Sequence, residues 1–347
     1  MFKIENKVIG EGNPTFIIAE AGVNHNGDIN LAKELIDKAL IAGVDAIKFQ
    51  TFKTEKLVTG YADMAEYQKN NTGVVESQFN MLKKLELSYE SFIELQVYCK
   101  HKGIMFLSTP FDFESADFLE SIGMMAFKIS SADLTNIPLL THIASFNKPM
   151  ILSSGMATLS EIEEALNAIY CTGNKEVAVL HCTSNYPAKL QGVNLNSMNT
   201  IKSAFKVVSG YSDHTEGITV PIAAVAMGAS IIEKHFTLGK DMEGPDHKAS
   251  LSPSELKDMI VAIRGVELAL GNGIKMYNPS EIDTMRAARK SIVVARDIKA
   301  GEVIDFADLD YKRPGTGLPP KFFTDIIGKK ANRDIKVDEQ IALNMIE

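Results

Sequence analysis

The feature that most constrains the fold is a regular alternation of short apolar runs with amphipathic stretches, which begins near residue 16 and continues to about residue 270. Continuous apolar strands that are separated by helices form a parallel sheet covered by helices. Eight such units in about 250 residues predict an α/β fold of the (β/α)8 TIM-barrel type. The eight predicted strands are 15–22, 45–51, 104–110, 126–132, 149–155, 177–184, 206–214 and 230–237.

Helix signals between the strands favour the same fold. Residues 30–43 carry apolar side chains at the helical period, and residues 158–170 open with a helix-start signature. Residues 252–270 begin with a capping box, Ser252 followed three positions later by Glu255. An open doubly wound sheet is the alternative. The segment AEAGVNHNGD after the first predicted strand lacks the GxGxxG pattern that such a sheet would favour.

Two regions depart from the β/α rhythm. Residues 52–103 form a long insertion with two helical pieces, near 76–85 and 88–102, and a connection of this length predicts a lid or a substrate wall. After residue 270 the chain has turn-rich, β-like character. We therefore predict a catalytic barrel in residues 1–272, a linker in 273–285 and a small β-rich domain in 286–347.

Composition narrows the choice of partners and compartment. The formal net charge of -8 argues against nucleic acid or an anionic membrane as the main partner, because both require a positive surface. No stretch reaches the length of a membrane span, and the N-terminus lacks the apolar segment of a signal peptide. The three cysteines show no metal-binding or redox spacing. These features predict a cytoplasmic protein that acts on small molecules.

Polar residues recur at or near the carboxyl ends of the predicted strands. In a barrel these ends meet on one face, where the active sites of this fold lie. We therefore predict that the polar residues converge on one site, although a strand that simply reaches water also ends in polar residues. The residues concerned are Glu20, Lys48, Thr109, Lys128, Ser131, Ser153, Tyr186, His214 and His235.

Two of these residues are lysines in apolar surroundings, Lys48 in AIKFQ and Lys128 in AFKIS. Buried lysines require a partner, which is either a bound phosphate or carboxylate or a glutamate in a core ion pair. The hydroxyls of the site are donors that suit anion oxygens. Glu20 is predicted to act as a general base, to position a water, or to pair with Lys48.

The two histidines lie at the ends of neighbouring predicted strands, His214 in GYSDHT and His235 in EKHFT. Neutral imidazoles in this arrangement can share one divalent ion and leave its other positions open, as Mn²⁺ or Mg²⁺ requires. The alternative is that each histidine is separately hydrogen-bonded in the core. We predict a metal site at His214 and His235.

Several motifs together resemble the sialic acid synthase family. They are NHNGD, KFQTFK, STPFD, GYSDHT, EKHFTL and GPDHKASL, and EYQKNNTG, ESQ and KLEL in the insertion are similar to bacterial N-acetylneuraminate or legionaminate synthases. The tail, KSIVVARDIKAGEVI through DYKRPGTG, resembles the SAF domain, a module like the type III antifreeze proteins that ends these synthases. The resemblance covers nearly the whole chain.

The resemblance implies a transferase reaction of sialic acid biosynthesis. Phosphoenolpyruvate condenses with an N-acylated hexosamine, usually N-acetylmannosamine, and water to give a nine-carbon 2-keto acid and phosphate. The product would enter a lipopolysaccharide or capsule. The implied cofactor is a divalent metal, usually Mn²⁺, with Mg²⁺ or Co²⁺ as alternatives, and His214 and His235 match its ligands.

Further residue roles follow from the same resemblance. Glu20 matches the glutamate that positions or deprotonates the water. Gln50, Asp133 and Asp246 match sugar contacts, and Arg313 matches an arginine that the SAF domain extends into a partner's site, which implies a domain-swapped homodimer. Ser184 stands where relatives have Asn, and some relatives have Glu at position 133. The remaining matches, all to phosphoenolpyruvate contacts, are Lys48, Thr109, Lys128, Ser131, Ser153 and Tyr186.

Three functions remain open at this stage. N-acetylmannosamine is the expected substrate, and a 2,4-diacetamido-2,4,6-trideoxyhexose that leads to legionaminic or pseudaminic acid is the alternative. A phosphoenolpyruvate-dependent synthase that acts on another sugar aldehyde, as in 3-deoxy-heptulosonate chemistry, is a related possibility. A non-enzymatic carbohydrate- or ice-binding protein would use only the C-terminal domain, and it would leave the barrel residues without a purpose.

Overall fold

The computed structural model describes residues 1–65, 68–69 and 76–347. Of the EYQKNNTG motif, only Gln68 and Lys69 belong to these residues, and the rest lies outside them. The chain forms two compact units, Met1–Gly271 and Asn272–Glu347. Within the described residues, no helix combines the length and the apolar character that a bilayer crossing requires.

The first unit is a parallel (β/α)8 barrel, which confirms the predicted fold class. Its eight strands pair in parallel in one sheet, and the two strands at the ends of that sheet pack against each other, so that the barrel nearly closes. A short antiparallel hairpin, β1 (Phe2–Ile4) and β2 (Lys7–Ile9), precedes them. The barrel strands are β3 (Phe16–Gly22), β4 (Ala46–Thr51), β5 (Met105–Pro110), β6 (Phe127–Ile129), β7 (Met150–Ser153), β8 (Val177–Cys182), β9 (Val208–Asp213) and β10 (Ile231–His235).

The strand alternation divides the core into two layers. In β3, Phe16 and Ile18 point into the barrel, whereas Ile17 and Ala19 pack against the surrounding helices. The β1–β2 hairpin adds Ile4 and its neighbours to the interior layer at the amino end of the strands. Apolar side chains therefore fill the barrel interior at the amino ends of the strands. The inward-facing side chains near the carboxyl ends remain available to form a site.

The helices surround the barrel, and all but the last, which follows β10, lie in the sequence that connects its strands. Their ends carry the predicted signals, because Thr158 and Ser252 each form a complete capping box. The helices are α1 (Ile29–Ala42), α2 (Thr54–Leu57), α3 (Gln78–Leu85), α4 (Tyr89–Lys102), α5 (Phe113–Ser121), α6 (Ile137–Ala144), α7 (Leu159–Cys171), α8 (Leu190–Val193), α9 (Asn196–Phe205), α10 (Thr219–Ala226) and α11 (Pro253–Leu270).

The second unit has its own small core and is the C-terminal domain. Strands β11 (Ser291–Val294) and β12 (Leu309–Lys312) pair antiparallel, and isolated bridges connect the turns around them. The residues that the sequence assigns to a linker include the start of a helix, α12 (Ile282–Ala288), so the end of that segment is structured.

Candidate active site

The predicted site residues of the barrel line one cavity of about 620 Å³ at the carboxyl ends of the strands. Strand alternation explains this, because each inward-facing position near a strand end continues the row of apolar residues that fills the barrel below it. The cavity-lining residues among those predicted are Glu20, Lys48, Gln50, Thr109, Lys128, Ser131, Asp133, Ser153, Ser184, Tyr186, His214, His235 and Asp246.

Two predicted positions differ in their local structure from the sequence analysis. Strand β6 ends at Ile129, so Ser131 does not belong to a strand but to a 3-10 turn, Ser131–Asp133. Ser184 likewise lies beyond the end of β8, because the strand predicted at 177–184 stops at Cys182. Both residues follow their strands in polar, turn-forming sequence, which ends the ladder earlier than the apolar pattern indicates.

Four buried charged residues form the floor of the cavity. Lys48 Nζ lies 2.6 Å from Glu20 Oε2 and 3.9 Å from Glu233 Oε2. Lys128 Nζ lies 3.5 Å from Glu233 Oε1. Each side chain is at most 7% exposed. Both lysines therefore have glutamate partners, which is the core ion pair that the sequence leaves open beside a bound anion.

The four charged groups are buried, so burial and their mutual interactions shift their pKa values. Burial raises the pKa of Glu20, although Lys48 opposes this shift. Burial would also raise the pKa of Glu233, but Lys128 and Lys48 together hold it below its usual value. Burial lowers the pKa of Lys128. When all four are ionised their formal charges sum to zero, so the lysines alone give this floor no net positive charge.

Hydroxyl groups extend the polar surface around the lysines. Lys48 Nζ donates to Thr109 Oγ1 at 3.0 Å, and Lys128 Nζ donates to Ser153 Oγ at 2.7 Å. The Oγ of Ser184 is buried and has no hydrogen-bond partner within the described residues. A Cβ atom on Gly155 would come 2.1 Å from that Oγ, so only glycine permits this close approach. The Ser184 hydroxyl is a donor available to a ligand.

His214 and His235 lie side by side above this floor, with ring centroids 5.4 Å apart. Nδ1 of His214 lies 2.8 Å from the Thr183 carbonyl and donates to it, which leaves Nε2 as the lone-pair nitrogen. Nδ1 of His235 is buried without a hydrogen-bond partner among the described residues. Burial first, then the positive neighbours, holds the pKa of His235 well below its usual value, so its imidazole is neutral.

These two histidines fit a divalent cation. His235 offers a neutral imidazole and His214 the Nε2 that its hydrogen bond to Thr183 leaves, and a metal bond at His235 would satisfy a ring that has an unpartnered nitrogen among the described residues. Within the described ranges, no group of three or more His, Cys, Asp or Glu side chains has metal-binding geometry. Two protein ligands would leave the remaining positions to water and substrate oxygens, as a hard cation such as Mn²⁺ or Mg²⁺ accepts.

The three residues matched to the sugar surround the upper part of the cavity. Gln50 Nε2 donates to Glu20 Oε1 at 3.0 Å. Asp246 is buried, and burial raises its pKa to about 6. Asp133 accepts a hydrogen bond from Ser130 Oγ at 2.8 Å, and partial burial raises its pKa. Each carboxylate or amide can bond to a hydroxyl or an N–H group of a ligand.

Arg313 belongs to the C-terminal unit, where its side chain is exposed and its Nε donates to the Ala288 carbonyl at 3.0 Å. Its role toward a partner's site stays a prediction.

Sequence reasoning missed three inward-facing residues of the cavity, Cys182, Ser212 and Glu233. Each lies two positions from an inward-facing neighbour on its own strand, so the two-residue period of a strand would have found them. Glu233 is the most consequential, because it neutralises Lys128 and accepts a hydrogen bond from Ser212 Oγ at 3.1 Å.

One side of the cavity is apolar and stands over the ends of β3, β4 and β5. We name this surface the apolar wall. Its residues follow those three strands or lie on α3, and most of them also form a small hydrophobic cluster. The apolar wall consists of Val23, Leu57, Val58, Met81, Leu82, Leu85 and Phe111.

Comparison with known proteins assigns the chain to a family. The profile of the NeuB family matches residues 35–275, and that of the SAF domain matches residues 289–347. The chain belongs to the NeuB family. It is therefore an enzyme of the sialic-acid-type synthase family, a barrel followed by a SAF domain, as the resemblance implied.

Two curated NeuB relatives are similar over nearly the whole chain. N,N'-diacetyllegionaminic acid synthase from Campylobacter jejuni is 50% identical over 329 residues, which cover 94% of this chain and 98% of the relative. The enzyme of the same name from Legionella pneumophila is 45% identical, covering 97% and 96%. By contrast, N-acetylneuraminate-9-phosphate synthase from Homo sapiens is 33% identical, covering 98% and 94%.

A solved NeuB structure supports the same fold. The N-acetylneuraminic acid synthetase from Leptospira borgpetersenii, crystallised with citrate, superposes with a TM-score of 0.73 at 37% identity. The alignment covers 82% of this chain and 94% of that one.

Proposed function

We propose that this NeuB enzyme makes N,N'-diacetyllegionaminic acid. Its substrates would be phosphoenolpyruvate and a 2,4-diacetamido-2,4,6-trideoxyhexose, and its second product phosphate. The observation that carries the choice of sugar is the identity of 50% and 45% with two legionaminic acid synthases, against 33% with a neuraminate-type enzyme. N-acetylmannosamine, which the sequence analysis expects as the substrate, is thereby the less favoured sugar.

The buried polar groups can bind phosphoenolpyruvate. Lys48 with Thr109 offers donors for one anionic group, and Lys128 with Ser153 offers donors for the other. The hydroxyls of Ser131 and Ser184 line the same cavity. We assign the carboxylate to the first pair of residues and the phosphate to the others, because the serines supply several donors to one tetrahedral group.

The charges in the cavity favour a bound divalent cation. Because Glu20 and Glu233 neutralise the two lysines, those lysines do not by themselves offset the negative charge of phosphoenolpyruvate. An ion held by His214 and His235 would supply the missing positive charge. When bound, Mn²⁺ or a similar cation would act as a Lewis acid that stabilises negative charge on the sugar's aldehyde oxygen.

The remaining residues orient the reaction and handle water. C3 of phosphoenolpyruvate forms a bond to the aldehyde carbon of the open-chain sugar, water adds at C2, and the C2–O bond to phosphate breaks. Glu20 holds the water and takes its proton, with Gln50 and Lys48 fixing the carboxylate. Gln50, Asp133 and Asp246 hold the sugar through its hydroxyl and amide groups.

We also propose a homodimer in which Arg313 of one chain completes the site of the other. This proposal rests on the match of Arg313 to the family arginine, and a SAF domain that follows the barrel as a separate unit is compatible with it.

A phosphate-release assay with phosphoenolpyruvate and Mn²⁺ tests the function. The acceptor panel comprises N-acetylmannosamine and the trideoxyhexoses that lead to legionaminic and to pseudaminic acid. We expect the highest kcat/KM with the legionaminic acid precursor, and product of the corresponding mass. Higher kcat/KM with either other sugar would refute the assignment, and no phosphate release with any of them would refute the synthase itself.

A further inference from the structure

Helix α3 presents to the cavity a face that is apolar except for Gln78 at its start. Gln78, Met81, Leu82 and Leu85 line the cavity at the spacing of one helix face. Lys83 and Lys84, on the opposite face, are exposed. A helix of this kind normally buries its apolar face against protein, but part of this face borders the cavity, where Leu82 is only half-buried.

Polar contacts hold this helix in place. Glu86, directly after α3, accepts hydrogen bonds from the backbone N–H of Thr54 at 3.0 Å and from its Oγ1 at 2.7 Å. Lys83 pairs with Glu55 of α2 at 3.0 Å. The turn after β3 touches the other side of the helix, since a Cβ on Gly27 would come 2.5 Å from the Lys84 carbonyl. The apolar wall is therefore preorganised.

The cavity offers a ligand two different surfaces, the apolar wall and the polar floor. Val23 and Phe111 follow β3 and β5, and Leu57 is the last residue of α2. His235 ends β10 and His214 follows β9, two strands that come after β3 in the sheet order. A sugar hydroxyl placed against Leu57 or Leu82 would lose its water without gaining a partner from either side chain, whereas a methyl group would gain burial.

We propose that the apolar wall selects the acceptor sugar by its methyl groups. It would contact the C6 methyl of a 6-deoxy sugar and the methyl of the acetamido group at C4, positions at which N-acetylmannosamine carries hydroxyls. This inference rests on the proposed function and adds the residues that discriminate, Leu57 and Leu82 foremost. An apolar surface rejects an added hydroxyl by about tenfold to a hundredfold, which sets the expected preference.

The test compares Leu82→Gln and Leu57→Gln with the unchanged enzyme. Both leucines are half-buried at the cavity, so glutamine is accommodated with little strain. Leu268→Gln is the matched control, because Leu268 lies on α11 and is 88% exposed. For each protein, phosphate release gives kcat/KM with the legionaminic acid precursor and with N-acetylmannosamine, and thermal unfolding shows that the variant is folded.

We expect the ratio of the two kcat/KM values to fall by about fivefold to tenfold in each wall variant, mainly through a higher KM for the trideoxy sugar. The KM for phosphoenolpyruvate and the ratio in Leu268→Gln should not change. Folded, active wall variants with an unchanged ratio would overturn the inference and leave the proposed function intact. Absence of phosphate release with either sugar in the unchanged enzyme would overturn both.

Discussion

His235 shows how one residue can serve both the fold and the chemistry. Its imidazole ends β10, faces into the barrel, and is kept neutral by burial and by the surrounding positive charges. Among the described residues, its Nδ1 has no hydrogen-bond partner, and a buried ring nitrogen of this kind is destabilising unless something binds it. The proposed cation at His235 would remove this penalty, and a substitution tests it directly.

Substituting His235 by alanine should abolish metal binding while the barrel stays folded. We expect His235→Ala to lose tight Mn²⁺ binding and at least about a hundredfold in kcat/KM, because one of two protein ligands is removed. Titration with Mn²⁺ followed by electron paramagnetic resonance measures metal binding, and the phosphate-release assay measures kcat/KM. His142→Asn is the control, since His142 pairs with Asp117 at the surface. Unchanged Mn²⁺ affinity in His235→Ala would disprove the metal site.

His25 makes the free energy of unfolding depend on pH. Its Nδ1 accepts a hydrogen bond from the Gly27 N–H at 3.0 Å, so the ring is neutral, and burial lowers its pKa from 6.5 to about 4. The unfolded chain therefore binds a proton at higher pH than the folded chain does. Stability from this group is complete above pH 6.5 and is lost as the pH falls from 6.5 toward 4.

The expected loss is about 3 kcal/mol in the free energy of unfolding across that pH range. His25→Gln keeps an acceptor for the Gly27 N–H but has no proton to gain, so its stability should fall less steeply. Urea unfolding of both proteins at a series of pH values measures the difference. Parallel stability curves for the two proteins would mean that His25 is not protonated on unfolding in this range.

At the scale of the elements, the sequence predicted the barrel strands well because their apolar runs recur regularly between helix signals. The strand predicted at 45–51 is Ala46–Thr51, and the one at 230–237 is Ile231–His235. The β1–β2 hairpin was missed, because its two strands have only three residues each and a periodic pattern needs more. Helix α12 was missed for a similar reason, since its seven residues make only two turns and show no clear helical period.

The partners of the lysines could not be predicted from local sequence. Glu233 and Lys128 are more than a hundred residues apart, and only the closing of the barrel brings their side chains together. Local patterns specify which face a residue takes, whereas the ion pairs of the floor depend on the register between strands. The apolar wall was anticipated only as a long insertion, because its inward face is defined by the packing of α3 against α2.

The register of β9 and β10 is secured by a buried ion pair just before the two histidines. Lys234 and Asp213 are partners in the parallel ladder, their charged atoms lie 2.6 Å apart, and both side chains are 0% exposed. Asp213 also accepts hydrogen bonds from the N–H and the hydroxyl of Thr215 at 2.9 and 3.1 Å, which fixes the turn around His214. The pair therefore positions the histidines without touching a substrate.

Removing one member of this pair should lower the free energy of unfolding strongly. Removing both charges together should lower it less. Lys234→Met leaves the Asp213 carboxylate buried without its counterion, and we expect it to lose about 3–5 kcal/mol of unfolding free energy. Lys234→Met combined with Asp213→Asn removes both charges, retains an acceptor for Thr215, and should recover part of that loss. Urea unfolding measures stability, and Mn²⁺ titration of the folded double variant reports the position of the histidines.

The surface pair of Lys240 and Glu255, 2.7 Å apart, is the control for this experiment. Because both side chains are more than a third exposed, Lys240→Met should change stability by less than about 1 kcal/mol. If Lys234→Met were no more destabilising than Lys240→Met, the pair would not secure the strand register.

At the scale of the whole molecule, the proposed homodimer predicts that Arg313 of one chain serves the site of the other. The alternative to be tested is that the arginine acts on the barrel of its own chain. The two arrangements differ in what a mixture of two inactive variants can do. His235→Ala lacks a metal ligand in its barrel, and Arg313→Ala lacks the arginine, so each protein alone should be nearly inactive.

Co-expression of the two variants with different affinity tags distinguishes the arrangements. If the arginine acts on the partner, the barrel with an intact His235 receives Arg313 from the other chain, and one of the two sites in each mixed dimer works. Random pairing would then restore about a quarter of the unchanged activity, and doubly purified mixed dimers about half. If the arginine acts within its own chain, neither site of the mixed dimer is complete and phosphate release stays at the level of the single variants. A gain in activity on mixing therefore requires an arginine supplied by the partner, and its absence in verified mixed dimers would exclude the domain-swapped arrangement.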